Sequence, residues 1–337
     1  MIKYLGSKRL LLPHITNIIS NLDNVSSVVD LFSGTARVGH ALKRAGLQVL
    51  ANDHNAYAAT LARCYVAADA ENIGIVALKL LRELNALPGS AGYFTETFCI
   101  KSRFFTPQNG ERIDTIREAI ARKGLDPELE AVVLTSLMEA ADRVDSTTGV
   151  QMAYLKTWAP RAQQRLELRL PDVLPRAAAG RSAAYELDAY DAAQRLSADC
   201  FYLDPPYNQH KYLGNYHIWE SLVRWDKPEV YGVACKRVDC RARPSAFNSK
   251  PRSLAALRNV IFAAQCRFLV VSFNNEGFIG RDAMEALLGE RGRVTVHEYD
   301  FKRYVGAQIG IFSPSGQKVG LPGHRRNTEF LYIVDAR

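Results

Sequence analysis

A chain of 337 residues is long enough for one large domain or two moderate ones. Its 47% hydrophobic and 23% charged residues are an ordinary globular balance, and no apolar run approaches the ~20 residues of a membrane span. The formal charge of +8 suits a polyanionic partner, while six scattered cysteines without a C-x-x-C pair argue against zinc and against a disulfide framework. Met1 to Arg9 lack an apolar signal core, so a cytoplasmic location is expected.

In chain order, Val28 to Phe32 reads as a buried parallel strand and Ser33-Gly34-Thr35-Ala36 as a tight turn. Val38 to Ala45 is helical and closed by Gly46 in the C′ position. Gln48 to Ala51 is the next strand, ending at Asn52-Asp53, which completes one βαβ unit. A helix from about Ala56 to Ala68 follows. Residues 70–181 then break the rhythm, with helical patterns at 73–86, 111–123 and 127–142. Loops are expected at Pro88–Gly92, Thr106–Gly110 and Asp145–Gly149. This reads as a helical insertion between two halves of one sheet domain, 1–69 and 182–337. Its pattern fits a recognition surface and an inert cap equally.

The βα rhythm resumes near 184. Cys200 to Leu203 is a short apolar strand that delivers Asp204-Pro205-Pro206-Tyr207 to its C-terminal mouth, where open α/β sheets bind ligands. From Asn208 to Trp225 the chain continues this loop and enters a helix. Its Tyr212, Tyr216, His217 and Trp219 either line a pocket or form helix core. Arg267–Phe273, Val294–Tyr299 and Phe330–Val334 are further strands, the last two expected as an antiparallel hairpin at a sheet edge.

The turn after the first strand carries chemistry. Gly34 lets a ligand approach the backbone, and the helix behind it favours an anion. Asp53, about 20 residues on, is placed to accept hydrogen bonds from ribose hydroxyls. A dinucleotide site is the competing reading, but G-x-G-x-x-G is absent. Asp204, a stiff Pro-Pro turn and Tyr207 are equipment to hold a flat base by its exocyclic amino group while a methyl group is delivered. Charge is clustered too: Lys236, Arg237, Arg241, Arg243, Lys250 and Arg252 face one acid, Asp239, over 236–252. This stretch suits phosphate contacts, a lid near the site, or a solvated loop. Lys156, Arg161, Arg165, Arg169, Arg176 and Arg181 form a second basic stretch.

Together these segments resemble the amino-group DNA methyltransferases that use S-adenosylmethionine, specifically the Dam-like group of adenine methyltransferases. Lys3-Tyr4-Leu5-Gly6-Ser7-Lys8-Arg9 resembles the family's N-terminal cofactor motif, and Asp30-Leu31-Phe32-Ser33-Gly34-Thr35 its glycine loop. Asn52-Asp53 matches the ribose-binding acid. Glu186-Leu187-Asp188 is similar to the segment whose acid faces the cofactor adenine, and Asp204-Pro205-Pro206-Tyr207 is similar to the catalytic motif. Val271 to Glu276 and Glu329-Phe330-Leu331-Tyr332 look like later strands of the same sheet, so the resemblance spans nearly the whole chain. Ala36 stands where many relatives carry a second glycine, which is tolerable if the position needs no positive φ.

The resemblance implies an α/β class I methyltransferase fold with a Rossmann-like, mostly parallel mixed sheet, and a target-recognition role for the insertion. It implies S-adenosylmethionine held by Tyr4, Gly6, Ser7, Lys8, Asp30, Phe32, Ser33, Gly34, Thr35, Asp53 and Asp188. It implies duplex DNA as partner, acted on by a monomer without metal in a bacterial, archaeal or phage-host cytoplasm, with a companion restriction endonuclease allowed. An adenine amino nitrogen is a poor nucleophile, because its lone pair is conjugated with the ring. Asp204 and the Pro205 carbonyl would accept its two hydrogens, and Tyr207 would stack on the flipped base. Alternatives are an RNA-base or cytosine-N4 methyltransferase, the latter more often carrying Ser in place of Asp204. A nicotinamide-dependent oxidoreductase and a catalytically silent DNA-binding protein are more remote.

Overall fold

The alternation of apolar segments resolves into a central sheet covered on both faces. The computed structural model describes residues 1–302, 311–312, 318–320 and 326–336. Its strands are β1 (Ser27–Asp30), β2 (Gln48–Asn52), β3 (Ala183–Tyr185), β4 (Cys200–Leu203), β5 (Val230–Tyr231), β6 (Lys236–Arg237), β7 (Phe268–Asn274), β8 (Arg293–Lys302), β9 (Ile311–Phe312), β10 (Lys318–Gly320) and β11 (Arg326–Asp335). Seven of them form one sheet in the order β3-β2-β1-β4-β7-β11-β8. Pairing is parallel from β3 through β7, and β11 is antiparallel to both β7 and β8. The expected terminal hairpin is present, with β8 at the edge and β11 inside it.

Side-chain alternation explains why the central strands read as continuous apolar runs. Val28, Cys200, Tyr202 and Val270 enter a core on one face, while Val29, Phe201, Leu203 and Val271 enter a second core on the other. The first core continues without a break into the insertion, through Phe94, Ile113 and Met138. The second is covered by the helices Ala189–Arg195, Lys250–Ala263 and Arg281–Gly289.

The first βαβ unit follows its sequence signals. The helix runs Arg37–Arg44 and Gly46 adopts φ +91. Ala36 does not behave as expected: its φ of 60 and ψ of 17 are left-handed. That conformation costs a β-carbon roughly 1–2 kcal/mol, and burial of its methyl group, worth about 0.8 kcal/mol, offsets part of the strain. The following helix runs Ala56–Ala62 and then widens into a π-helical turn at Arg63–Ala67.

In the insertion the main helices are Ala70–Ala86, Pro107–Lys123 and Pro127–Arg143. The loop expected at Thr106–Gly110 is instead a helix start, because Pro107 occupies the first turn, where a missing N–H is harmless. Gly110 sits in that helix since a β-carbon there would collide with Cys99 Sγ. The insertion's two ends are clamped together on the helix Arg37–Arg44. Lys43 Nζ lies 3.0 Å from Asp69 Oδ1, Arg176 Nε lies 2.8 Å from Asp69 Oδ2, and Ala70 N donates to Leu174 O.

Candidate active site

At the C-terminal ends of β1, β2 and β4 the chain encloses a cavity of about 500 Å³. Tyr4, Gly6, Ser7, Lys8, Asp30, Phe32, Ser33, Gly34, Thr35, Asp53 and Asp188 all line it, and Asp204 and Pro206 close one end. The sheet brings these segments together. Leu31 N donates to Tyr202 O and Ser33 N to Asn52 O, so the turn after β1 is tied to both neighbouring strands.

Carboxylates shape the turn. Asp30 Oδ2 accepts Ser33 Oγ and Gly39 N, each at 3.0 Å, and burial pushes its pKa up to about 7 against those bonds. Asp53 accepts Gly34 N at 3.0 Å and Asn55 N at 2.9 Å, and burial raises its pKa too. Asp188 caps the helix Ala189–Arg195 through Tyr190 N and is exposed at the cavity rim.

Aromatic rings form the walls. Tyr4 stacks between Tyr212 at 5.2 Å and Tyr216 at 4.7 Å, and Phe247 meets Phe32 edge-on at 5.1 Å. Tyr212 faces the cavity, whereas Tyr216 and Trp219 are buried core. Gly34 has φ +55, and a β-carbon there would lie 3.3 Å from the Tyr4 ring. The Gly34→Ala protein should therefore lose about 1–2 kcal/mol of stability and bind S-adenosylmethionine on the order of tenfold more weakly. Thermal melting and calorimetric titration check both, and an unchanged affinity would show that the cradle does not need glycine.

The residues fit an adenosyl cofactor. The space is flanked by flat aromatic faces and carboxylates, and the buried Ser7 Oγ on its wall has no hydrogen-bond partner among the described residues. Polar equipment of this kind awaits a ligand.

The other end of the cavity holds the Asp204 cluster. Asp204 Oδ1 accepts the Tyr207 hydroxyl at 2.6 Å and lies 3.3 Å from Lys8 Nζ. Lys8 Nζ also donates to the Tyr207 hydroxyl at 2.5 Å and to Glu329 Oε2 at 3.2 Å. Burial raises the Asp204 pKa and Lys8 opposes it. Burial alone would lower the Lys8 pKa, but Asp204 and Glu329 outweigh it and hold the ammonium charged. Lys8 therefore lines the cavity beside the other expected cofactor residues, and its ammonium is held at the Asp204 end. Pro205 is buried, and Tyr207 packs on Phe273 at 4.5 Å instead of lining the cavity. Glu329 and Lys211 were not assigned to the site from sequence, because only the fold brings them here, whereas residues 243–248, from the stretch read as phosphate contacts, a lid or a solvated loop, form part of the cavity wall.

The basic stretch 236–252 is not one surface. Arg237 is buried and bound by Asp226 in a two-bond fork at 2.7 Å and by Asp239, so it cannot serve as the phosphate contact expected from sequence. Arg243 is turned to Glu220 and His54 O at the cavity edge, Arg241 stacks 3.8 Å over Tyr231, and Lys236 lies beside Met152. Lys250 and Arg252 are exposed. In the second stretch Arg161, Arg169, Arg176 and Arg181 pair with Asp145, Glu167, Asp69 and Glu128. Asp145 and Asp142 also hold Lys3, which accounts for the Asp142–Gly149 segment as a brace for the N-terminal motif.

Among the described residues no helix is long and apolar enough to cross a membrane, and no group of three His, Cys, Asp or Glu is arranged to hold a metal. Type II methyltransferase M.NlaIII from Neisseria lactamica is 29% identical over 342 residues, covering 98% of this chain and 97% of its own. Type II methyltransferase M.FokI from Planomicrobium okeanokoites is 30% identical over 90% of this chain, which spans 49% of that longer relative. The SAM dependent methyltransferase from Agrobacterium tumefaciens corresponds more loosely, at 12% identity and a TM-score of 0.36 over 99% of this chain and 64% of its own. The profile of the D12 class N6 adenine-specific DNA methyltransferases matches residues 4–273. The chain belongs to that family, the D12 class N6 adenine-specific DNA methyltransferases, whose methyl donor is S-adenosylmethionine.

Proposed function

We propose that the cavity at β1, β2 and β4 is where this chain methylates adenine, with Asp204 as the residue that activates the amino nitrogen. The observation that carries this reading is the position of Asp204, on the wall it shares with the glycine turn and Asp53. Bound S-adenosylmethionine supplies an electrophilic methyl group on a sulfonium centre. Asp53 would accept its ribose hydroxyls, Phe32 and Asp188 would flank its adenine, and Tyr4, Ser7 and Gly34 would enclose the rest. Asp204 accepts one hydrogen of the target amino group and the Pro205 carbonyl the other, which leaves the nitrogen lone pair directed at the methyl group. A carboxylate opposite a nitrogen that becomes positive is electrostatic stabilisation where charge develops. Tyr207 stacks on the base once its hydroxyl gives up the bond it donates to Asp204. A base inside a duplex cannot reach this depth, so it is flipped out.

The insertion 70–181 is the target-recognition element of this reading. Its segment 144–158 lies beside the catalytic loop: Gln151 N donates to Asn215 O and Gln151 Oε1 accepts Ile218 N. Asn215 ends the short helix Tyr212–Asn215, whose first residues line the cavity. Thr148, Met152, Lys156 and Thr157 are exposed on this segment. Lys250 and Arg252 supply phosphate contacts near the mouth. The type II names of the relatives make a restriction endonuclease the expected companion.

DNA titrations across a salt series test the DNA face. Replacing Lys250 and Arg252 with alanine should weaken duplex binding and reduce the salt slope by about 2. An unchanged slope would remove both residues from the interface, and equal methylation of RNA would count against the duplex-DNA reading.

A further inference from the structure

The catalytic cluster contains a carboxylate from the far end of the chain. Glu329 lies outside the family match, which ends at residue 273. The β11 register places it opposite Asn274 at the end of β7, the strand next to β4. Its Oε2 is 3.2 Å from Lys8 Nζ, and its Oε1 is 3.4 Å from both Asn274 Nδ2 and Asn327 Nδ2. The side chains of Lys8, Asp204 and Glu329 are 8%, 20% and 15% exposed, so water screens them weakly.

Charge balance shows what the second carboxylate does. Asp204 and Lys8 alone would be a neutral pair, and the ammonium at Oδ1 would draw charge from the carboxylate that has to receive the amino group. One ammonium shared by two carboxylates leaves a net negative site. We propose that Glu329 is a positioning residue for methyl transfer: it takes a share of the Lys8 ammonium and so keeps Asp204 a strong acceptor for the adenine amino group. This rests on the reading that Asp204 receives that group. The titratable groups facing Asp204 are Lys8 before the first helix, Tyr202 on β4, Tyr207 on its own loop, Asp30 on β1 and Glu329 on β11. Of these, Lys8 and the Tyr207 hydroxyl lower the Asp204 pKa and Glu329 raises it.

The test is the single-turnover rate on duplex DNA across pH for the full chain and for Glu329→Gln, Glu329→Asp and Asp204→Asn. Glu329→Gln keeps the shape and removes the charge. Its rate should fall about tenfold, with melting temperature and cofactor affinity unchanged. Its acid limb should move about one pH unit lower, because loss of a neighbouring negative charge lowers the Asp204 pKa. Glu329→Asp retains the charge and should retain the wild-type limb. A wild-type rate in Glu329→Gln, an acid limb that stays or rises, or a moved limb in Glu329→Asp would overturn the proposal. An active Asp204→Asn protein would instead overturn the role of Asp204, so the two failures are distinguishable.

Discussion

Replacing Asp204 by alanine is expected to reduce methyl transfer by about 10³-fold or more, the scale seen when a preorganised charge-stabilising group is removed. The fold should survive, because Lys8 keeps Glu329 as a counterion and the Tyr207 hydroxyl keeps Ser272 Oγ at 3.1 Å. Cofactor binding should change little, since Gly34, Asp53 and Asp188 are untouched. Single-turnover kinetics beside calorimetric titration with S-adenosylmethionine separate the two effects. Near-normal turnover would contradict the assigned role. Lost turnover with equally lost cofactor affinity would mean that Asp204 organises the cofactor site instead.

The second large effect concerns stability. Lys43 and Asp69 have side chains 0% and 1% exposed, and Asp69 holds the two ends of the insertion through Arg176. Asp69→Ala leaves a buried ammonium with only the Ala68 carbonyl, at 2.7 Å, among the described residues, a loss of the order of 3–5 kcal/mol. Replacing both Lys43 and Asp69 by apolar residues of similar volume should recover most of that loss. Despite burial, Arg176 and Lys43 depress the Asp69 pKa. A depressed carboxylate contributes stability above its unfolded pKa of about 3.9 and loses it as pH falls through the folded value. The wild-type protein should therefore lose this contribution only below about pH 4, and the Asp69→Ala protein should lack it at neutral pH. Urea unfolding at both pH values measures this, and equal stability of the two proteins at neutral pH would refute it.

Much of the architecture was legible in the sequence because local signals agreed with burial. Cys200–Leu203 is apolar on both faces since it lies between two parallel strands, and Gly46 ends its helix because the chain turns left-handed there. The cavity-lining residues of the N-terminal motif, the glycine turn, Asp53 and Asp188 were legible as motifs, and the sheet gathers them. The rest depended on contacts between distant residues. Gly110 reads as a loop breaker until Cys99 is seen against it. Arg237 reads as a surface cation until Asp226 and Asp239 enclose it. Ala36 carries no mark of its positive φ. Glu329 sits over 120 residues from Asp204 in sequence, and the antiparallel register of β11 alone brings it to Lys8.

The most direct measurement of the central claim is nucleoside analysis of duplex DNA after incubation with labelled S-adenosylmethionine and either the wild-type protein or Asp204→Ala. Wild-type protein should produce N6-methyldeoxyadenosine and the variant should produce none. Label in N4-methyldeoxycytidine, label only in added RNA, or undiminished N6-methyldeoxyadenosine from the variant would contradict it.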